Sequence, residues 1–381
     1  MFHHRAEELQ NLCAQVLDLA KQQGATAAEA DVSESNGQSV QVRLQEIEQI
    51  EYQQDKSLDI TVYVGQAKGR ASTADFSPQA LQDTVTAAAN IARYTAQDEY
   101  AGLADAVLMA TDLGDADAYH PWALPVTEAV DLARQCEAAA QAADTRIQNS
   151  EGASVQTGHY QYVYGNSHGF LAHQQGSRHS ISCSVVAADK SGMQRDYWYD
   201  LARSAADLDS AEAIGQTAAK RTVRRLNAQS VPTGVYPVLF DATVSGSLIG
   251  HLVGALSGGA LYRQTSFLVD SLGTQVLAPW VNLHERPHIP KALGSAWFDA
   301  EGVATAARTV VGAGVVEGYF LSSYSARKLG MHTTANAGGA HNLHLDATCA
   351  PQADLPGQTG SGRRVPELLG RAGSSTKGDT R

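Results

Sequence analysis

The order helix, strands, helix occurs twice in the first 230 residues, and this repeat restricts the fold more than any other feature. Apolar residues recur at helical spacing over 5–23, and the runs "SVQVRLQ" and "SLDITVYVG" then alternate with period two, as antiparallel strands do. Ser77 and Pro78 suit the N-cap and first residue of the next helix. The second occurrence consists of a helix over 125–144, strand-like segments within 146–203 and a helix over 209–228.

This repeat predicts an α+β fold with an N-terminal pseudo-duplicated lobe of helices and antiparallel sheet. Asp209 and Glu212 have capping-box spacing at the start of the last of these helices. After it, short apolar runs punctuated by glycine predict a C-terminal β-rich, barrel-like domain. The predicted regions are an N-terminal α+β region (1–112), a middle α+β region of the same lobe (118–229), an incomplete C-terminal β-rich domain (233–345) and an atypical, disordered tail (346–381).

Charge and cysteine usage restrict the partners and the compartment. The chain has 28 Lys and Arg against 40 Asp and Glu, a formal charge of −12, whereas direct nucleic-acid binding requires a basic surface. The cysteines at 13, 136, 183 and 349 are far apart and form no C-x-x-C motif, which favours a reducing compartment. The N-terminus lacks the apolar core of a signal peptide, and no run is long enough to span a membrane. We therefore predict a cytoplasmic protein that binds neither membranes nor nucleic acid directly.

The segment "SGSLIGHLVGALSGGALYR", residues 245–263, is predicted to be one helix whose only ionisable residues are His251 and Arg263. A zinc-protease helix carries two histidines one turn apart and a glutamate beside the first, so that two imidazoles face the metal and the carboxylate activates its water. This segment has one of those three groups. A lone helical histidine is more often structural than a metal ligand.

Two further clusters could carry chemistry. "HTTANAGGAHNLH" brings together His332, His341 and His344, but its glycines favour a turn with incidental histidines over a metal site. "FDAEGVAT" places Asp299 and Glu301 two residues apart, which in a strand would put both carboxylates on one face. A hairpin turn ending at Gly302 explains the same letters and is the favoured interpretation.

The chain resembles the TldD/PmbA family, first described as modulators of DNA gyrase, whose members act as cytosolic zinc metalloproteases. The resemblance rests on "YPVLFDATVSGSLIGHLVGALSGGALYRQTSFL", "LGSAWFDAEGVATAARTVVGAGVVEGYFLSSYSARKLG" and "TANAGGAHNL". It covers residues 1 to about 345. The TldD branch carries an H-E-x-x-x-H zinc helix in this element. In this chain the two histidines correspond to Gly250 and Ala255 and the glutamate to His251.

The resemblance therefore implies the PmbA branch, also called TldE, in which this chain holds no zinc and a TldD-like subunit supplies both metal and base. A heterodimer is expected, with a homodimer as the other assembly, and the implied substrates are unfolded peptides such as microcin leaders and antitoxins. We assign no catalytic residue and no metal ligand to this chain. The candidate peptide-binding or interface residues are Arg263, Asp299, Glu301, Asn336, Gly338, Gly339 and His341.

The C-terminal part of the chain departs from the pattern of the family. Family members continue after the "NAGG" loop with more β structure, whereas an Arg- and Gly-rich tail follows here, as a truncation or frameshift would produce.

Two other functions remain as alternatives to this interpretation. The first alternative is a peptide-binding or regulatory protein of the gyrase-modulator type, without protease activity. The second is a self-contained zinc peptidase that uses His251 with His341 or His344.

Overall fold

The computed structural model describes residues 2–228, 232–236, 238–346 and 363–365, the last three by their backbone. The predicted tail therefore lies outside the described residues except for Asp346 and 363–365. The chain divides into two compact units. The first comprises Met1–Asp98, Asp115–Ser230 and Pro290–Leu293, and the second Glu99–Gly114, Val231–Ile289 and Gly294–Arg381.

The first unit contains the predicted repeat. Its first copy consists of α1 (Ala6–Gln22), β1 (Ala27–Arg43), β2 (Glu46–Val64), β3 (Ala67–Thr73) and α2 (Pro78–Tyr94). Its second copy consists of α3 (Val126–Ala142), β4 (Ile147–Asn166), β5 (Leu171–Asp189), β6 (Gly192–Ala202) and α4 (Ala211–Arg224). The strands form one antiparallel sheet in the order β3-β2-β1-β4-β5-β6, so the copies meet where β1 pairs with β4. The predicted α+β class and the duplication are confirmed.

One face of this sheet carries both hydrophobic cores. Alternate residues of β1 point to that face: Ala28, Ala30 and Val32 pack with α1 and α2, while Val40 and Val42 pack with α3 and α4. All four helices therefore cover the same face. The positions between these residues, among them Ser33, Ser35 and Ser39, point to the opposite face, which is polar.

Serine side chains cap the N-termini of α2 and α4, the first as predicted and the second one residue after the predicted position. The Oγ of Ser77 accepts a hydrogen bond from the backbone N–H of Ala80, and Pro78 begins α2, as predicted. The predicted capping box of Asp209 and Glu212 is wrong, because Ser210 is the N-cap of α4 and its Oγ accepts from the Ala213 N–H. Aspartate and serine are comparable N-caps, but Asp209 lies one residue before the helix cap, where its N–H donates to Asp200 Oδ2 at 2.7 Å.

The second unit is built from short elements, as the glycine-punctuated runs predict. Its helices are α5 (Ala242–Ala255), α6 (Gly258–Tyr262) and α7 (Ser323–Leu329). Its strands are β7 (Val238–Phe240), β8 (Leu283–Glu285), β9 (Arg308–Gly312), β10 (Val315–Val316), β11 (Leu343–Leu345) and β12 (Arg363–Val365). Four of these strands form a sheet in the order β10-β9-β8-β11, and β12 pairs in parallel with β7.

The prediction of one helix over 245–263 is wrong, because the chain breaks between α5 and α6. The N–H of Phe320 donates to the carbonyl of Leu256 at 3.0 Å, and the N–H of Gly258 donates to the carbonyl of Phe320 at 2.8 Å. These backbone groups pair with a distant segment and no longer continue the helical ladder. None of the helices in the described parts of the chain combines the length and apolarity needed to cross a membrane.

Replacement by alanine is expected to have opposite effects on stability at two helical glycines, Gly215 and Gly250. A Cβ at Gly215 in α4 would collide with the Cys136 carbonyl oxygen of α3, whereas a Cβ at Gly250 in α5 would meet nothing within 4 Å. We expect Gly215→Ala to lower the free energy of unfolding by about 1–3 kcal/mol through overpacking. The matched variant Gly250→Ala should raise it by up to about 1 kcal/mol, because alanine favours the helix. Urea unfolding of both variants tests this pair, and equal stability of Gly215→Ala and the wild type would contradict the close helix packing.

Candidate functional site

The three positions that the family resemblance aligns with a zinc motif, Gly250, His251 and Ala255, lie on α5. Gly250 and His251 are exposed, and Ala255 is buried. Glycine and alanine have no side-chain donor atom, so His251 alone could contact a metal there. In residues 2–228, 232–236 and 238–346, no group of three or more His, Cys, Asp and Glu side chains could hold a metal ion. The residues present at these positions do not fit a zinc site.

The histidines of the "HTTANAGGAHNLH" segment contact different partners. The ring Nε2 of His341 lies 3.0 Å from the carbonyl oxygen of Ala335, to which it donates. The Nε2 of His344 lies 3.7 Å from Oδ1 of Asp346, and His332 is exposed. The contacts agree with the interpretation of this segment as a glycine-rich turn.

A buried carboxylate, Glu285 at the end of β8, holds this turn in place. It is 1% exposed and accepts hydrogen bonds from Arg308 Nε (2.7 Å), Asn336 Nδ2 (2.8 Å) and the His341 N–H (2.8 Å). Arg308 also donates to Asn336 Oδ1 at 3.0 Å. Neither Glu285 nor Arg308 was predicted from the sequence as a site residue. The available signal was a glutamate at the position in "LHE" that, by strand alternation, shares the buried face of Leu283.

Asp299 and Glu301 also bind backbone groups. The Oδ1 of Asp299 accepts from the N–H groups of Glu301 and Val303, and its Oδ2 accepts from Ala337 at 3.0 Å. Gly302 donates back to the Asp299 carbonyl at 3.0 Å, so the predicted turn is confirmed. Burial raises the pKa of Asp299 to about 6, although these three donors favour its charged form.

Glu301 and the glycines complete the same region. The Oε2 of Glu301 accepts from the Ser323 N–H at the start of α7 at 2.9 Å. Gly338 and Gly339 have φ values of +91° and +130°, which residues other than glycine rarely adopt. The structure thus gathers the candidates Asp299, Glu301, Asn336, Gly338, Gly339 and His341 around the 335–341 turn. The seventh candidate, Arg263, follows α6, with its guanidinium 5.2 Å from the centre of the Tyr262 ring.

A groove of about 650 Å³ lies in the first unit, on the polar face of the six-stranded sheet. Serine, glutamine and tyrosine line it from neighbouring strands, and Gly37 and Gly158, which pair directly, lie between them. Its lining includes Ser35, Ser39, Glu51, Gln156, Tyr160, Arg178, Ser180, Ser182 and Tyr199. This surface was not predicted from the sequence, although serines at alternate positions of β1 and β5 indicate a solvated face.

Models of known protein families match most of the chain. The models for the PmbA/TldA metallopeptidase domain 1, central domain and C-terminal domain match residues 28–92, 119–226 and 233–381. The chain belongs to the PmbA/TldD family. Its two clearest motif regions, the α5 segment and the 335–341 turn, both lie within the match to the C-terminal domain.

Individual relatives agree with this family. Metalloprotease PmbA of Escherichia coli O157:H7 is 44% identical over 92% of this chain and 78% of its own length. A PmbA homolog from Haemophilus influenzae is 43% identical over 98% of this chain and 83% of its own. A Bacteroides thetaiotaomicron protein described as a modulator of DNA gyrase superposes with a TM-score of 0.91 at 26% identity, covering 97% of this chain and 85% of the other. TldE from Thermococcus kodakarensis shares the fold, with a TM-score of 0.78 at 20% identity over 94% and 83%.

Proposed function

We propose that this PmbA/TldD-family chain is the PmbA/TldE-type subunit of a heterodimeric zinc metallopeptidase that degrades or processes unfolded peptides. The observation that carries the proposal is the chemistry of the three positions that the family resemblance aligns with the zinc motif. Gly250 and Ala255 have no side-chain ligand atom, and His251 would stand in place of the glutamate base. Zinc bound by a TldD-like partner would supply the activated water for peptide hydrolysis. This chain would help to shape the chamber and hold the substrate.

The polar face of the first unit supports the holding role. Serine hydroxyl and glutamine amide groups along the groove can donate and accept hydrogen bonds, and the peptide main chain offers both kinds of group at every residue. Contacts of this kind do not depend on substrate side chains, which suits unfolded substrates of varied sequence such as microcin leaders and antitoxins. The proposed site of action is the cytoplasm.

Reconstitution tests the proposal. The chain should co-purify with a co-expressed TldD-like protein, and the complex should cleave a fluorescein-labelled unfolded peptide that neither chain cleaves alone. His251→Ala in this chain should leave the rate of the complex unchanged, whereas replacing the first histidine of the partner's zinc helix should abolish it. A complex that loses activity with His251→Ala would contradict the assignment.

A regulatory role without proteolysis is the second candidate, favoured by the description of the Bacteroides thetaiotaomicron structural relative as a gyrase modulator. Under this candidate the chain would bind its target without any TldD-like protein. Direct capture of purified gyrase by the isolated chain, together with failure to form a complex with the TldD-like protein, would favour it. Stoichiometric zinc in the isolated chain would instead favour a self-contained peptidase.

A further inference from the structure

The first half of β2, residues 46–56, is an open sheet edge. On one side this stretch pairs with β1, but β3 pairs only with Leu58–Val64. All its residues are exposed, whereas the second half of the strand alternates with buried positions. Within the described part of the first unit, no other backbone group pairs with the outer side of this stretch. Unpaired N–H and C=O groups along such an edge are a template for another strand.

The internal duplication provides a comparison for this edge. β6 pairs with β5 only from His179 to Asp189, which leaves residues 171–178 beyond the end of β6. A segment without regular secondary structure contacts that stretch at Ser177: the Ser177 N–H donates to the Ala118 carbonyl at 2.9 Å, and the His120 N–H donates to Ser177 Oγ at 2.8 Å. Among the described residues, the second copy therefore has a backbone segment at this edge and the first copy has no counterpart to it.

The two sides of the open edge differ in chemistry. Ile47, Ile50 and Tyr52 are 49%, 41% and 68% exposed, and the first two lie beside the core residues Val42 and Val40 in the strand register. Glu51 points to the opposite, polar face, where it lines the groove. Asp55 shares that face, because residues four apart in a strand point the same way. The stretch has four acidic residues and one basic residue.

We propose that residues 46–56 of β2 capture an extended polypeptide segment as an added strand, and that the preferred segment alternates apolar with basic side chains. The apolar side chains would cover Ile47, Ile50 and Tyr52, while lysine or arginine would pair with Glu51 and Asp55. Backbone hydrogen bonds supply affinity in this mode, and the alternate side chains supply selectivity. This inference rests on the proposed peptide-holding function and names one surface that performs it.

Fluorescence anisotropy with the full chain tests the proposal. The probe is a labelled peptide of alternating lysine and valine, long enough to match residues 46–56, and its counterpart replaces lysine with glutamate. Two further lysine–valine peptides carry backbone N-methyl groups on the lysines or on the valines. An added strand bonds through one edge only, so we expect one methylated peptide to lose binding and the other to keep it.

Variants of the chain locate the contact. Glu51→Lys/Asp55→Lys and, separately, Tyr52→Ser should each weaken binding of the lysine–valine peptide by about tenfold or more. Asp18→Lys/Asp131→Lys, on exposed positions of α1 and α3, is the matched control and should bind like the wild type. Urea unfolding of each variant confirms that the fold is intact.

Three outcomes would overturn the edge assignment: equal affinity for the glutamate–valine peptide, equal loss of binding for both methylated peptides, or unchanged binding by the edge variants. A dimer of the chain that dissociates on Glu51→Lys/Asp55→Lys would also overturn it, because a second copy would then occupy the edge. The proposed function is judged separately by proteolysis in the reconstituted complex. An active complex in which the edge variants bind normally would therefore refute only the edge.

Discussion

Replacing Glu285 with leucine is expected to lower the free energy of unfolding of the second unit by about 3–5 kcal/mol, because it removes the buried partner of the Arg308 ion pair. Arg308, Asn336 and the His341 N–H would all lose their acceptor on this carboxylate. The 335–341 turn should therefore detach from β8. Urea unfolding followed by tryptophan fluorescence measures the loss.

Controls separate the buried network from a general effect of lost charge. Glu317→Leu removes an exposed glutamate of the same unit and should change stability by no more than about 0.5 kcal/mol. The double variant Glu285→Leu/Arg308→Met should lose less than the sum of the single variants, because no charge is then left unpaired. Additive losses, or wild-type stability of Glu285→Leu, would show that the pair does not hold this turn.

Acid is expected to destabilise the first unit through His159 and His179. Burial, followed by the neighbouring His179, lowers the pKa of His159 to about 4, and burial also lowers the pKa of His179. The ring of His179 donates through Nε2 to the His120 carbonyl at 2.8 Å, while Nδ1 of each histidine is buried without a hydrogen-bond partner in the described structure. A second proton on either ring would therefore be costly.

The direction of the pH effect follows from these shifts. In the unfolded chain His159 takes up a proton below about pH 6.5, whereas in the folded chain it does so only near pH 4. The free energy of unfolding is therefore highest above about pH 6.5 and decreases as the pH falls from about 6.5 to about 4. His159 alone should account for a loss of up to about 3 kcal/mol. His159→Phe keeps an aromatic ring beside Tyr119 and His179 and should be less sensitive to acid. Identical pH profiles of unfolding for this variant and the wild type would contradict the role of His159.

Sequence patterns predicted the four helices of the first unit and the duplication because these features depend on local periodicity. The alternation of Val40 and Val42, for example, predicted the strand correctly. It did not reveal that β1 begins at Ala27, since the centre of the strand carries polar residues on both faces. Similarly, the apolar composition of 245–263 predicted helix throughout, whereas pairing with Phe320, which is distant in sequence, ends α5.

The candidate site was less predictable because its partners are distant in sequence. Asp299 was correctly placed in a turn, but its bond to Ala337 joins two loops that no local pattern connects. Glu285 and Arg308 are separate strand residues until the four-stranded sheet brings them together. The proposal that Gly250, His251 and Ala255 replace a zinc motif rests on resemblance to a family, because the absence of metal ligands leaves no pattern in a single sequence.

The zinc content of the purified full chain tests the central claim most directly. Mass spectrometry of the metal in the isolated chain should find zinc well below stoichiometric, and His251→Ala should not change that amount. Zinc should become stoichiometric only in the complex with a TldD-like protein. Stoichiometric zinc in the isolated chain that disappears with His251→Ala would contradict the account.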